Sequence, residues 1–279
     1  MDINSQDRPD AFAVRLERTG LIVLPGRPFT LEADEIDLVS PRYSDGRAKN
    51  ISLGLDGEMR GATADPAARR RLAALMGRYR AWAEAVIRTE APRYAVDLES
   101  GRTSLRTREV AEGAASKRKD DRRLHVDAFA SQPTGGRRIL QVFTNINPAG
   151  EPRLWQVGEA FEAHARRWAS RLRTPWPGEA WLLRRLGITR AHRSPYDAMM
   201  LGLHDAAKLD EAYQQSAARR DTAFAAGASW IVYSDSTVHA AIRGRYMLEQ
   251  TFYLPLAAMA APEASPARIL ERITGRSLV

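Results

Sequence analysis

The chain has 279 residues, no cysteine, and 42 Lys+Arg against 34 Asp+Glu, a net charge of +8. That length predicts one or two domains, and a composition 44% hydrophobic and 27% charged suits a globular protein with material for a core. Disulfide scaffolds, thiol nucleophiles and Cys-ligated zinc are excluded.

The opening residues Met1-Asp2-Ile3-Asn4-Ser5-Gln6-Asp7-Arg8 contain no apolar signal region. The longest apolar run, 252–261, is broken by Pro255 and falls short of the about 20 residues that span a bilayer. A cytoplasmic protein is expected. Residues 11–18 predict a short helix stopped at Gly20, and Leu21-Ile22-Val23-Leu24 a strand ended by Pro25-Gly26. A second strand is expected over 49–53, between the turn signals Asp45-Gly46 and Asp56-Gly57. Asp65-Pro66 then supplies an N-cap carboxylate and a proline at the first helical position. Leu72, Leu75, Tyr79, Trp82 and Val86 continue at helical spacing, which predicts a helix over 66–89 with its aromatics in the core.

From about Val96 the period changes to two, most clearly over 122–129 and 138–145. Residues 158–172 and 195–217 return to helical patterning, strands resume at 229–233 and 246–254, and a helix capped by Ser265-Pro266 closes the chain. This order predicts one α+β domain over 1–279, built on an antiparallel sheet or double-sheet roll, with a helical insertion at about 158–225.

The positive charge is nearly all arginine; the lysines are Lys49, Lys117, Lys119 and Lys208. Either codon bias explains this, or a partner carries phosphates or carboxylates that guanidinium forks grip. Nucleic acid, an anionic membrane surface and an acidic glycolipid all fit that second reading.

Five histidines can be taken singly. His164 and His192 lie among arginines and read as surface residues, while His204 precedes Asp205 on a helix, where adjacent side chains diverge. His125 differs. In Arg123-Leu124-His125-Val126-Asp127-Ala128-Phe129 the alternation of a strand projects His125 and Asp127 from one face. Such a pair can take two adjacent corners of a metal ion, and His239, just after the strand at 229–233, is the natural third ligand. Two histidines and one carboxylate form the facial triad of non-haem Fe(II) oxygenases. A hydrogen-bonded His-Asp pair with no metal is the bland alternative.

The flanking sequence carries more. The run 118–134 (RKDDRRLHVDAFASQPT), the run 138–148 (RILQVFTNINP) and the run 150–159 (GEPRLWQVGE) are joined by Ser194-Pro195-Tyr196-Asp197 and Met247-Leu248-Glu249-Gln250-Thr251-Phe252. Together they resemble the Kdo hydroxylase family, and the likeness runs from Lys49 to the closing helix. That resemblance implies a double-stranded β-helix, or jelly roll, with His125, Asp127 and His239 on Fe(II). It implies 2-oxoglutarate and O₂ as cosubstrates, and hydroxylation of C3 of 3-deoxy-D-manno-octulosonic acid (Kdo) on lipid A, with succinate and CO₂ as products.

Many relatives bind the distal carboxylate of 2-oxoglutarate with a cation some ten to fourteen residues after the second histidine. Gln250 and Thr251 stand there in this chain. Arg138, on the strand after the His-x-Asp, is the preferred replacement, with Asn145 as a hydrogen-bonding partner or a turn cap. Arg118, Lys119, Arg122 and Arg123 are candidates to meet the acidic saccharolipid, or to hold the protein peripherally against an anionic membrane surface. Nucleic acid is not expected as a partner. The competing readings are a 2-oxoglutarate hydroxylase of another anionic substrate, a metal-assisted hydrolase, and a noncatalytic basic module binding nucleic acid or membrane.

Overall fold

The computed structural model describes residues 10–110, 116–172, 176 and 178–279. Helix α1 (Ala11–Thr19) ends where Gly20 adopts a left-handed conformation, and β1 (Leu21–Leu24) follows directly. The short strands β2 (Ile51–Leu53) and β3 (Met59–Arg60) precede the long helix α2 (Pro66–Glu90). Asp65 caps α2 as expected, its carboxylate accepting from the N–H groups of Ala67 and Ala68. Then come β4 (Glu99–Arg106), β5 (Arg138–Asn145) and β6 (Arg153–Val157). Among the described residues four α-helices stand between β6 and the next strand: α3 (Phe161–Trp168), α4 (Glu179–Arg185), α5 (Pro195–Leu209) and α6 (Glu211–Ser216). Strands β7 (Arg220–Phe224), β8 (Ser229–Tyr233), β9 (His239–Arg243) and β10 (Met247–Leu254) lead to α7 (Pro266–Thr274).

All described strand pairs are antiparallel. Seven form one sheet in the order β1-β8-β5-β10-β4-β2-β3, and three form a second in the order β7-β6-β9. Phe143, Trp230 and Met247 of the large sheet pack with Trp155, Phe224 and Ala241 of the small one. The result is an α+β fold with a jelly-roll core. On the other face of the large sheet, Leu140, Val142, Ile231 and Phe252 meet Ala13 and Leu16 of α1 and Ala83, Val86 and Ile87 of α2. Helices therefore cover one face and the small sheet the other, which is why every residue of β5 and β10 is buried.

One predicted strand is absent. Residues 122–129 form no ladder; His125 makes a single bridge to His239. The backbone groups that a ladder would satisfy are taken by the helical insertion. Gln214 accepts from the Leu124 N–H (2.9 Å) and donates to the Leu124 carbonyl (3.0 Å), and His204 Nδ1 lies 2.9 Å from the Val126 carbonyl. His164 also departs from expectation. It is fully buried against Trp168 and Tyr213, whereas His192 is exposed as predicted.

Candidate metal centre

The single bridge between His125 and His239 builds the site. Their backbones exchange two hydrogen bonds (3.0 and 2.8 Å), which sets the two imidazole rings 4.7 Å apart. Asp127, two residues on, is held by its N–H to the Ser234 carbonyl (2.8 Å), and its carboxylate lies 3.5 Å from His125 Nε2. One ligand atom from each of His125, Asp127 and His239 lies within 4.8 Å of the others.

Both rings are oriented from behind. His125 Nδ1 lies 2.7 Å from the Arg123 carbonyl and His239 Nδ1 lies 2.8 Å from the Thr237 carbonyl. A carbonyl only accepts, so Nδ1 carries the proton and each Nε2 presents its lone pair to the common point. Trp155 stacks on His239 with rings 5.0 Å apart and 19° from parallel. Burial lowers the pKa of His125 to about 4 against the opposing pull of Asp127, so its ring is neutral at pH 7. Burial alone would raise the Asp127 pKa, but the neighbouring His125, His239 and His204 rings hold it below the usual carboxylate range. Two imidazole Nε2 atoms and a carboxylate suit a divalent metal with open positions.

The surrounding cavity has a volume of about 250 Å³. Its charged walls are Lys49, Arg106 and Arg153 against Asp121, Asp127 and Glu249. Most of these are already matched: Glu249 accepts from Arg106 (2.6 Å) and Gln141 (3.0 Å), while Asp121 takes Lys49 and Arg106. Arg153 is the exception. It is 2% exposed, donates to the Gly244 carbonyl through Nη1 (2.6 Å), and its buried Nε has no partner among the described residues. Burial, reinforced by the charge of Arg106, lowers its pKa to about 9.

Arg138 lies elsewhere. Strand alternation puts it on the helix-covered face of β5 with Leu140 and Val142, whereas Gln141 and Phe143 face the cavity. The carboxylate it requires is the protein's own: Arg138 donates to Asp235 through Nε (2.8 Å) and Nη2 (2.9 Å). Asn145 also stays out of the cavity; it donates to the Glu151 and Phe224 carbonyls and accepts from the Asn147 N–H, tying down a turn. Neither Arg118, Lys119 nor Arg123 lines the cavity. Arg118 pairs with Asp205 (2.9 Å), Arg122 with Asp120 (2.8 Å) and Arg123 with Glu211 (2.9 Å), so three of these four arginine and lysine charges are spent on the protein itself. The cavity's cations come from elsewhere, Arg106 at the end of β4, Arg153 at the start of β6 and Lys49 just before β2, and sequence reading assigned none of them to the site. The signal for Arg153 was its alternation with Trp155, which puts both on one face of β6.

A family model described as 3-deoxy-D-manno-oct-2-ulosonic acid (Kdo) hydroxylase matches residues 2–277. A crystal structure of the Kdo hydroxylase KdoO, a non-haem Fe(II) alphaketoglutarate-dependent dioxygenase, in complex with cobalt(II), superposes with a TM-score of 0.93 at 40% identity, covering 100% of this chain and 94% of that one. KdoO in complex with alphaketoglutarate and Fe(III) is similar at 39% identity with a TM-score of 0.92, and in complex with succinate and Fe(III) at 38% with 0.92, with the same coverages. No protein with a curated description matches the sequence. The chain belongs to the Kdo hydroxylase family.

Proposed function

We propose that this chain is an Fe(II)/2-oxoglutarate-dependent dioxygenase that hydroxylates C3 of Kdo on Kdo-lipid A, acting as one catalytic unit whose helical insertion, about 158–225, buttresses the metal site. His125, Asp127 and His239 hold the iron, and Arg153 binds the distal carboxylate of 2-oxoglutarate. Bound Fe(II), with 2-oxoglutarate and O₂, supplies the oxidising equivalent for hydroxylation, with succinate and CO₂ released. The protein's own residues do the positioning. The Arg123 and Thr237 carbonyls fix the imidazole tautomers, Trp155 keeps the His239 ring from turning, and Glu249 holds Arg106 and Gln141 along the wall.

The observation that carries this reading is the convergence of the three ligand atoms beside a buried, half-unpartnered arginine. Charge supports it. Three cations and three carboxylates line the cavity; adding Fe(II) leaves an excess of two positive charges, which the 2-oxoglutarate dianion neutralises. At the rim, Lys49 is the exposed lining cation within reach of the Kdo carboxylate, which would have to compete with Asp121 for it.

The test is succinate formation from 2-oxoglutarate with Fe(II) in air and without oxygen, combined with mass spectrometry of Kdo-lipid A. Oxygen- and iron-dependent succinate with one oxygen added to Kdo is expected. No such succinate would defeat the oxygenase reading; succinate with unmodified Kdo-lipid A would redirect the substrate to another anionic molecule.

A further inference from the structure

The predicted basic contact at 118–123 is largely neutralised by internal ion pairs, yet an unpaired basic surface exists on the helical insertion. Of the eleven exposed large apolar residues among those described, five lie in a stretch of thirteen: Trp176, Trp181, Leu182, Leu186 and Ile188, each between 36% and 62% exposed. A soluble surface scatters such residues. These are gathered on and around α4, and they include both exposed tryptophans of the described chain.

Arginines are interleaved with them. Residues 176–193 hold Arg184, Arg185, Arg190 and Arg193 against the single acid Glu179. Arg184, Arg185 and Arg190 are exposed, and none of them has a carboxylate partner among the described residues. Beside α4 runs an apolar groove of about 480 Å³, walled by Trp176, His192, Arg193, Met199, Arg276 and Leu278. It shares no lining residue with the metal-centre cavity. Helix α5 links the two, with Pro195 in the groove and His204 5.2 Å from the His125 ring. Nine helical steps separate those residues, about 14 Å.

We infer that this face docks onto the surface of an anionic phospholipid bilayer. Indole rings and short aliphatic chains favour the boundary between headgroup and acyl chain, and arginines beside them meet the phosphates. A second copy of the chain is a poorer occupant, because a two-fold contact through this face would put two sets of Arg184, Arg185 and Arg190 into one interface with only Glu179 from each copy's 176–193 stretch to offset them. A polynucleotide is poorer too, since Leu182, Leu186 and Ile188 have no counterpart on a sugar-phosphate chain. The inference does not rest on the proposed chemistry; it concerns a different face and is read without iron, 2-oxoglutarate or substrate.

Sedimentation of the full chain with vesicles of phosphatidylcholine alone, or mixed with phosphatidylglycerol, tests it. The chain is expected to pellet with the mixed vesicles at low salt and to be released by high salt. Replacing two arginines, Arg184→Gln with Arg185→Gln, should weaken partitioning roughly thirtyfold, at about 1 kcal/mol per basic residue. Trp181→Ser with Leu186→Ser should abolish pelleting while the melting temperature is unchanged. Vesicles with brominated acyl chains should quench the tryptophan fluorescence of the parent chain and not of Trp176→Phe with Trp181→Phe. The inference is overturned if the parent chain stays in the supernatant with anionic vesicles, or if pelleting is indifferent to both the arginine and the apolar variants. It is equally overturned if these variants instead dissociate a dimer seen by light scattering.

Discussion

Arg138 and Arg153 are both fully buried arginines on core strands, and the structure assigns them opposite thermodynamic characters. Arg138 is 0% exposed and grips Asp235, 1% exposed, with two hydrogen bonds; Asp235 also accepts from the Ile139 N–H. Arg138→Met leaves that carboxylate buried with one remaining donor, and breaking a buried pair in this way costs about 3–5 kcal/mol. For 279 residues the unfolding entropy is about 0.6 kcal/mol/K, so the melting temperature should fall by about 5–8 °C. Adding Asp235→Leu removes the stranded charge and should restore much of the loss. The KM for 2-oxoglutarate should not move in either variant, because neither side chain reaches the cavity. Arg153 has no carboxylate partner among the described residues and a pKa lowered to about 9. Arg153→Met therefore removes an uncompensated buried charge, and the melting temperature should hold or rise. The KM for 2-oxoglutarate should increase at least about thirtyfold, the lower end of the 2–5 kcal/mol lost when one partner of a buried charge pair is truncated. Differential scanning fluorimetry and steady-state succinate assays read both effects. A raised KM in Arg138→Met without destabilisation, or an unchanged KM in Arg153→Met, would refute the reasoning.

Three further outcomes are expected. His125→Ala and Asp127→Asn should each abolish tight Fe(II) or Co(II) binding, measured by calorimetry, and with it succinate formation, while the fold persists by circular dichroism. Gly158→Ala should weaken metal binding about tenfold or more: a Cβ there would sit 2.8 Å from Val238 Cγ1, and that stiff, fully buried side chain can only yield by shifting the backbone next to His239. His164 gives a pH signature distinct from the metal site. Burial, with the nearby charge of Arg167, lowers its pKa to about 3, below the unfolded value of about 6.5. The unfolded chain thus binds a proton first, so stability is complete above about pH 6.5 and declines as pH falls toward 3. Between pH 8 and pH 5 the loss from this residue should be at most about 2 kcal/mol, and His164→Phe should flatten that part of the melting-temperature profile; an unchanged profile would contradict the assignment.

Much of this architecture was legible in the sequence. Helix α2 follows from Asp65-Pro66 and its apolar spacing, β1 and β8 from compact apolar runs, and the convergence of His125, Asp127 and His239 from a two-residue alternation and a second histidine after a strand. Local signals suffice there, because capping and periodicity are properties of neighbouring residues. Other features were not local. All eight residues of β5 are buried, so alternation divided the strand into two faces without showing which one met the cavity, and Arg138 went to the wrong face. Residues 122–129 have the pattern of a strand, but Gln214 and His204, some eighty to ninety residues away, take hydrogen bonds that a ladder would have used. The cavity's cations, Lys49, Arg106 and Arg153, come from three separate parts of the chain. A sequence states which residues can pair across a strand or along a helix; only tertiary packing decides which of several chemically equivalent arginines keeps a protein carboxylate and which remains free for a ligand.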